Sequence, residues 1–209
     1  MSVRDRLVVN AGALMASSAA TGALGLVYWI FAGRLFDASD VGRASALIST
    51  ATMLSSLACL SLGGAYERFL PLAGDRTSVA VGGGFLVSGV AALLFGAVFA
   101  WLPMADKLLH TTGQRLAFPL MVAVFTAFAL SDPILTGLRR APAVAAKNIA
   151  FSVSKVVPLW FLSAGAAATG IVVSWTACAL LCAVYFTVSS IRTAMTRTGR
   201  SQLPAPREL

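Results

Sequence analysis

Six apolar runs, at about 11–33, 44–66, 79–102, 116–137, 149–166 and 169–191, occupy most of the chain. Most hold about 20 residues, and at about 1.5 Å of rise per residue such a helix crosses the roughly 30 Å hydrocarbon core of a bilayer. In lipid the backbone N–H and C=O groups must be satisfied within their own segment, so each run is expected to be helical. None alternates in the manner of a barrel strand. The expected fold class is all-α integral membrane, with six transmembrane helices over residues 1–191. The fifth run is the shortest, and GAAATG at 165–170 leaves only a tight turn before the sixth. Residues 192–209, RTAMTRTGRSQLPAPREL, are basic and contain proline; they read as a cytoplasmic tail or an inter-lobe linker.

Charged residues make up 11% of the chain, where a soluble domain carries about 25%. The net charge of +8 lies between the apolar runs, which points to orientation signals and anionic headgroups rather than to nucleic acid. No groove-reading module is present, and nucleic acid is not an expected partner. With the N-terminus inside, eleven basic residues fall on the inner side: Arg4, Arg6, Arg68, Arg76, Arg139, Arg140, Lys147, Arg192, Arg197, Arg200 and Arg207. Four fall outside: Arg34, Arg43, Lys107 and Arg115. That bias places both termini in the cytoplasm, with Arg139, Arg140 and Lys147 anchoring an inner loop. Arg4 and Arg6 ahead of a long apolar stretch resemble a signal peptide, but the stretch is too long for one and no small-residue cleavage site closes it, so it reads as a retained first span.

Lys155 is the basic residue that this rule leaves inside a span. It shares a helical face with Asn148 and Ser152, at spacings of four and three. An ionisable group in lipid marks a functional site unless it snorkels to the interface, so Lys155 either lines a polar cavity or lies shallow. A second polar stripe runs down the second span through Ser45, Ser49, Thr52, Ser56 and Gly63, and a third, Asn10, Ser17, Thr21 and Tyr28, down the first. Such stripes line hydrophilic paths or let helices pack closely, and packing is the expected role in the second span. Gly22, Gly25 and Gly82-Gly83-Gly84 are expected at close contacts or bends; no Gly-Lys-Ser/Thr follows the triple glycine, so it is no nucleotide loop. Asp132, before the kinking Pro133, is a coupling carboxylate or a local partner of Arg139 or Arg140. Arg34 and Arg43 sit with Asp37 and Asp40 at one border, where Asp40 or Ser39 caps the second helix; Arg68 beside Tyr66 at the other suits an anionic headgroup.

Cys59, Cys178 and Cys182 fall inside apolar runs as small filler, with no disulfide framework or zinc spacing. His110 has no carboxylate or cysteine neighbour in sequence. With no nucleophile elbow, paired acids, metal motif or cofactor signature, the chain is not expected to be an enzyme.

The ordered stretches NAGALMASSAATGALGLVYWIFAGRL, DVGRASALIST, SLGGAYERFLP, ILTGLRRAP and KNIAFSVSK resemble the first six-helix lobe of bacterial polysaccharide-export flippases. Their superfamily also holds oligosaccharide-lipid flippases and multidrug extrusion transporters. The resemblance rests on the set from Asn10 through Val41-Gly42 and Gly137-Leu138-Arg139-Arg140 to Asn148 and Lys155. It implies two six-helix lobes around a central cavity in the bacterial inner membrane. Such a protein moves undecaprenyl-diphosphate-linked glycan to the outer leaflet by alternating access. Lys155, Arg68 and Arg34 are then expected to contact phosphate or sugar, with Asn148, Ser152, Asn10, Ser49 and Thr52 lining the cavity. One lobe encloses nothing alone, so the resemblance implies a homodimer, a separately encoded six-helix partner, or a truncated remnant. The rivals are a non-transporting membrane scaffold subunit and a multidrug-type antiporter of the same fold, which the net-basic interior disfavours.

Overall fold

Proline, glycine and small residues, more than hydropathy, decide where the apolar runs become helices and how closely those helices approach. A computed structural model describes the backbone of residues 3–162 and 167–201, and the surroundings of side chains over 19–74, 76–161 and 168–192. In order, the helices are α1 (Val3–Leu35), α2 (Ala38–Ala58), α3 (Leu62–Phe69), α4 (Thr77–Ala100), α5 (Thr112–Gly137), α6 (Ala141–Ser154), α7 (Val156–Leu162) and α8 (Ala167–Ser201). Short 3₁₀ turns at Leu70–Leu72, Gly74–Arg76 and Pro103–Lys107 join them, and no strand occurs among the described residues.

Among the described residues three helices are long and apolar enough to cross a membrane: α4, α5 and Ala168–Arg192 of α8. A fourth counts if α2 and Leu62–Leu72 form one span bent by 54°. The run at 44–66 is therefore broken rather than continuous. Its break falls at Cys59–Ser61, where Leu60 (φ 48°) and Ser61 (φ 60°) take left-handed backbone. Such angles are costly for side-chain-bearing residues and end the helix there. The run at 149–166 is also divided. It begins earlier, at Ala141, with Pro142 in the first turn, where a missing N–H costs nothing. It breaks at Lys155 because Pro158 has no N–H to give the Ser154 carbonyl and its ring crowds that group. Of the tight turn expected at 165–170, residues 167–170 already belong to α8, and 163–166 lie outside the described residues. The tail differs as well: α8 carries helix through Ser201, and 202–209 lie outside the described residues.

Helix α5 is the hub, packing against α2, α3, α4, α6 and α8, while α1 leans on α6 and α7. The inward face of α4 is Val81, Gly84, Ser88, Ala92, Gly96 and Ala100, all small except Val81. A Cβ on Gly96 would sit 2.6 Å from the Pro119 Cα, so α4 and α5 cross almost backbone to backbone. Gly84 leaves room for the Tyr66 ring, whose hydroxyl donates to the Ala80 and Val81 carbonyls at 3.3 Å. Gly137 meets the Tyr66 carbonyl in the same way, with 2.6 Å left for a Cβ. The other expected close-contact glycines are elsewhere: Gly22, Gly25, Gly82 and Gly83 have nothing within 4 Å.

The α5–α6 connection is only Leu138–Arg140. Arg139 adopts φ 56°, its N–H bonds the Thr136 carbonyl at 2.8 Å, and the Arg140 N–H bonds the Leu135 carbonyl at 2.9 Å. This paired closure of a helix C-terminus normally has glycine at the left-handed position.

Gly96→Ala and Gly83→Ala separate close approach from helix propensity. In detergent melts Gly96→Ala is expected to lose about 1–3 kcal/mol by overpacking against backbone. Gly83→Ala should be neutral or gain up to about 1 kcal/mol.

Candidate functional site

Because α5 and α6 run antiparallel from a three-residue turn, residues equally distant from it face each other. Phe128 meets Phe151 at 4.7 Å between ring centroids, and Asp132 meets Lys147. The Lys147 Nζ lies 2.7 Å from Asp132 Oδ1, and donates to the Phe128 carbonyl at 2.8 Å and to Ser131 Oγ at 3.0 Å. Two hydrogen bonds and one close ion pair thus surround the ammonium. The Phe128 ring covers the same charge, its centroid 3.6 Å from Nζ. Asn148 Nδ2 donates to the other Asp132 oxygen at 3.4 Å. Lys147 is fully buried, whereas the Asp132 side chain is 36% exposed.

This corrects two expectations. Lys147 is not in an inner loop but inside the bundle, because α6 starts one and a half turns before it. Asp132 pairs with Lys147 and not with Arg139 or Arg140. Arg140 instead donates to Ser190 Oγ at 3.1 Å, and Arg139 is exposed.

Lys155 sits at the α6–α7 break, and it neither lines an open cavity nor snorkels. It is 3% exposed, with Nζ 4.0 Å from the Trp175 ring centroid, 4.8 Å from Tyr28 and 4.9 Å from Phe151. These rings brace one another: Tyr28 on Trp175 at 5.7 Å, Phe151 on Trp175 at 5.5 Å, and Trp29 on Tyr28 at 5.5 Å. Tyr28 donates to Ser174 Oγ at 3.0 Å, since the Ser174 proton goes to the Ile171 carbonyl. No carboxylate of the described residues pairs with Lys155. Among the described residues the ammonium is held by ring quadrupoles. Ser152 is buried beside it and Asn148 half-buried, so the Asn148–Ser152–Lys155 stripe faces the bundle interior.

The middle of the second stripe faces outward. Ser49, Thr52 and Ser56 are exposed, while α2 packs through Ala44, Leu47, Ile48, Ala51, Ser55 and Ala58. Those three hydroxyls are therefore not what packs α2 within this chain, whereas Ser45 is half-buried and Gly63 lies against Pro133, 3.4 Å from where a Cβ would sit. Thr52 bonds the Ile48 carbonyl at 2.7 Å and Ser56 the Thr52 carbonyl at 3.0 Å. Arg34 and Arg68 are exposed near opposite ends of the bent α2–α3 pair, Arg68 with its guanidinium 5.4 Å from the Phe69 ring centroid. Tyr66 is buried and does not stand beside Arg68 at a surface. Asn10 belongs to α1, but its side chain lies outside the described residues. The residue before α2 is Asp37, without a side-chain cap bond, so neither Asp40 nor Ser39 caps it. Arg43 pairs with Asp40 at 3.5 Å and donates to His110 Nδ1 at 2.6 Å, which gives His110 a partner. No group of three or more metal-ligating side chains occurs among the described residues.

Sequence reasoning missed the depth of Lys147 and the aromatic cage. The first had a signal, the Ala141-Pro142 helix start. The second had none, since Tyr28 and Trp175 meet only because α1 and α8 both pack on α6. The chain has no match among protein-family models, curated proteins or solved structures.

Two stability measurements follow from the charges. Asp132→Leu strands a fully buried ammonium and is expected to cost about 3 kcal/mol, whereas Lys147→Met leaves a carboxylate that reaches solvent and costs about 1 kcal/mol. Thermal melts of the two and of the double variant would show this, with the double close to Lys147→Met. Lys155→Met removes a desolvated, unneutralised cation and should raise the melting temperature; a fall would mean that the rings outweigh desolvation.

Proposed function

We propose that this chain is one lobe of a membrane transporter that flips undecaprenyl-diphosphate-linked glycan across the bacterial inner membrane. In this reading both termini are cytoplasmic, six segments cross the bilayer, and a second copy or a separate six-helix partner supplies the facing lobe. The observation that carries it is the exposed hydroxyl stripe of α2, Ser49, Thr52 and Ser56, which no helix of the described chain covers. Two further features support it. Breaks at Leu60–Ser61 and at Lys155 give two of the expected spans the discontinuous form that transporters use at substrate sites. Lys155 is a cation that no described carboxylate neutralises, which suits an anionic cargo once the aromatic cage opens. With Lys147 inside the bundle, the inner basic residues number ten against four, and the bias that sets orientation remains. A cation-drug antiporter is disfavoured because Asp132 is already occupied by Lys147.

The test is labelling by a membrane-impermeant maleimide of Ser49→Cys, Thr52→Cys and Ser56→Cys, with Cys59, Cys178 and Cys182 replaced by alanine. Val90→Cys on the exposed face of α4 serves as the lipid-facing control. Labelling on α2 but not at Val90→Cys is expected; equal silence would overturn the cavity. Native mass spectrometry in nanodiscs should find a dimer or a co-purified six-helix partner. A lone monomer would remove the second wall and leave a scaffold role.

A further inference from the structure

A groove of about 370 Å³ runs between α2, α5 and α8, open along one side. Its length is apolar: Leu47 from α2, Met121 and Val124 from α5, and Val172, Val173 and Leu180 from α8. On α8 the lining extends from Ala168 to Leu180, which at about 1.5 Å per residue is about 18 Å. One leaflet is half of a roughly 30 Å hydrocarbon core, so the groove is about as long as one leaflet is deep. Its charged and amide side chains gather at one end. There Arg43 is 20% exposed, and its fork of donors is committed only to Asp40 at 3.5 Å and His110 at 2.6 Å. Gln114 accepts the His110 N–H on Oε1 at 2.8 Å, which leaves its amide –NH₂ to donate. Farther in, Thr176 is closed on the Val172 carbonyl at 2.8 Å and offers the groove no free proton.

An apolar channel one leaflet deep, ending at a guanidinium and an amide donor, has the shape and polarity of a single lipid chain below its phosphate. We infer that the groove holds one acyl chain of an anionic glycerophospholipid, with the phosphate at Arg43. Arg43 meets the phosphate through its planar fork, and the long contact to Asp40 yields to the stronger acceptor. The chain excludes water from the α2–α5–α8 seam and ties the α2 end of the bundle to that leaflet. This rests on the chain crossing a membrane and not on its flipping a glycan.

The experiment uses the full-length protein in vesicles of equal phosphatidylglycerol and phosphatidylcholine. It is extracted gently, and the lipids retained are counted by native mass spectrometry. The wild type is expected to keep one phosphatidylglycerol with about tenfold preference, the scale of one charge-assisted contact. Arg43→Gln should keep one lipid without preference. Ala177→Trp, which fills the groove, should keep none, and Val173→Phe reports on the same wall if that variant fails to fold. Equal retention of both lipids by the wild type, or undiminished phosphatidylglycerol on both filled variants, would overturn the assignment. An alkaline carbonate wash reads the premise separately: protein released from the vesicles would overturn membrane insertion itself. Protein that stays embedded without lipid preference would sink only the groove.

Discussion

The Lys147 ammonium, enclosed by Asp132, the Phe128 carbonyl, Ser131 and the Phe128 ring, fixes how α6 lies on α5. A buried charge tolerates few arrangements, because every donor left without an acceptor costs the full desolvation of that proton. Sliding α6 by one residue would turn Lys147 from Asp132 and separate the Phe128 and Phe151 rings. The same register carries Lys155 two turns farther on, into the space between α1 and α8 where Tyr28 and Trp175 meet. The pair near the turn thus determines what surrounds the second lysine.

Around that hairpin the bundle is held by closeness rather than by apolar bulk. Between membrane helices there is little hydrophobic force, since lipid tails are as apolar as leucine, and association depends on backbone approach and hydrogen bonds. Helix α4 shows this. Leu86, Leu94 and Val98 are exposed, and its contact face is mostly glycine, alanine and serine, with Val81 the large exception. Tyr66 fills the space beneath Gly84 and against Gly137. The outer faces of α4 are those of a helix meant for lipid.

Polar side chains divide into two sets with different meanings. The inward set, Lys147, Asp132, Asn148, Ser152 and Lys155, lies among α1, α5, α6 and α8, with Asp132 and Asn148 partly exposed. The outward set, Ser49, Thr52 and Ser56 with Arg34 and Arg68, is uncovered. In the reading proposed above, the inward polar groups specify one packing and the outward ones meet substrate or a facing lobe. Lys155 joins them, as an inward residue at a helix break whose charge no described carboxylate answers.

The sequence alone determined the helical class, the apolar segments, the basic bias of the loops and the presence of polar residues within them. Hydropathy and composition are properties of residues taken one at a time or in short windows, so a linear chain reveals them. It also held the Lys147–Asp132 pairing, through the helix start at Ala141-Pro142 and a turn at Arg139, though only a fixed hairpin register makes that readable. Tertiary structure decided the rest. It chose which glycines are contacts, since Gly96 and Gly83 are the same residue in the same helix and differ only in whether Pro119 lies opposite. It broke two of the runs, where left-handed backbone at Leu60–Ser61 and the missing proton of Pro158 outweigh apolar continuity. It turned the Lys155 stripe inward and the Ser49 stripe outward, because a helical face acquires its meaning only from the neighbour that covers it.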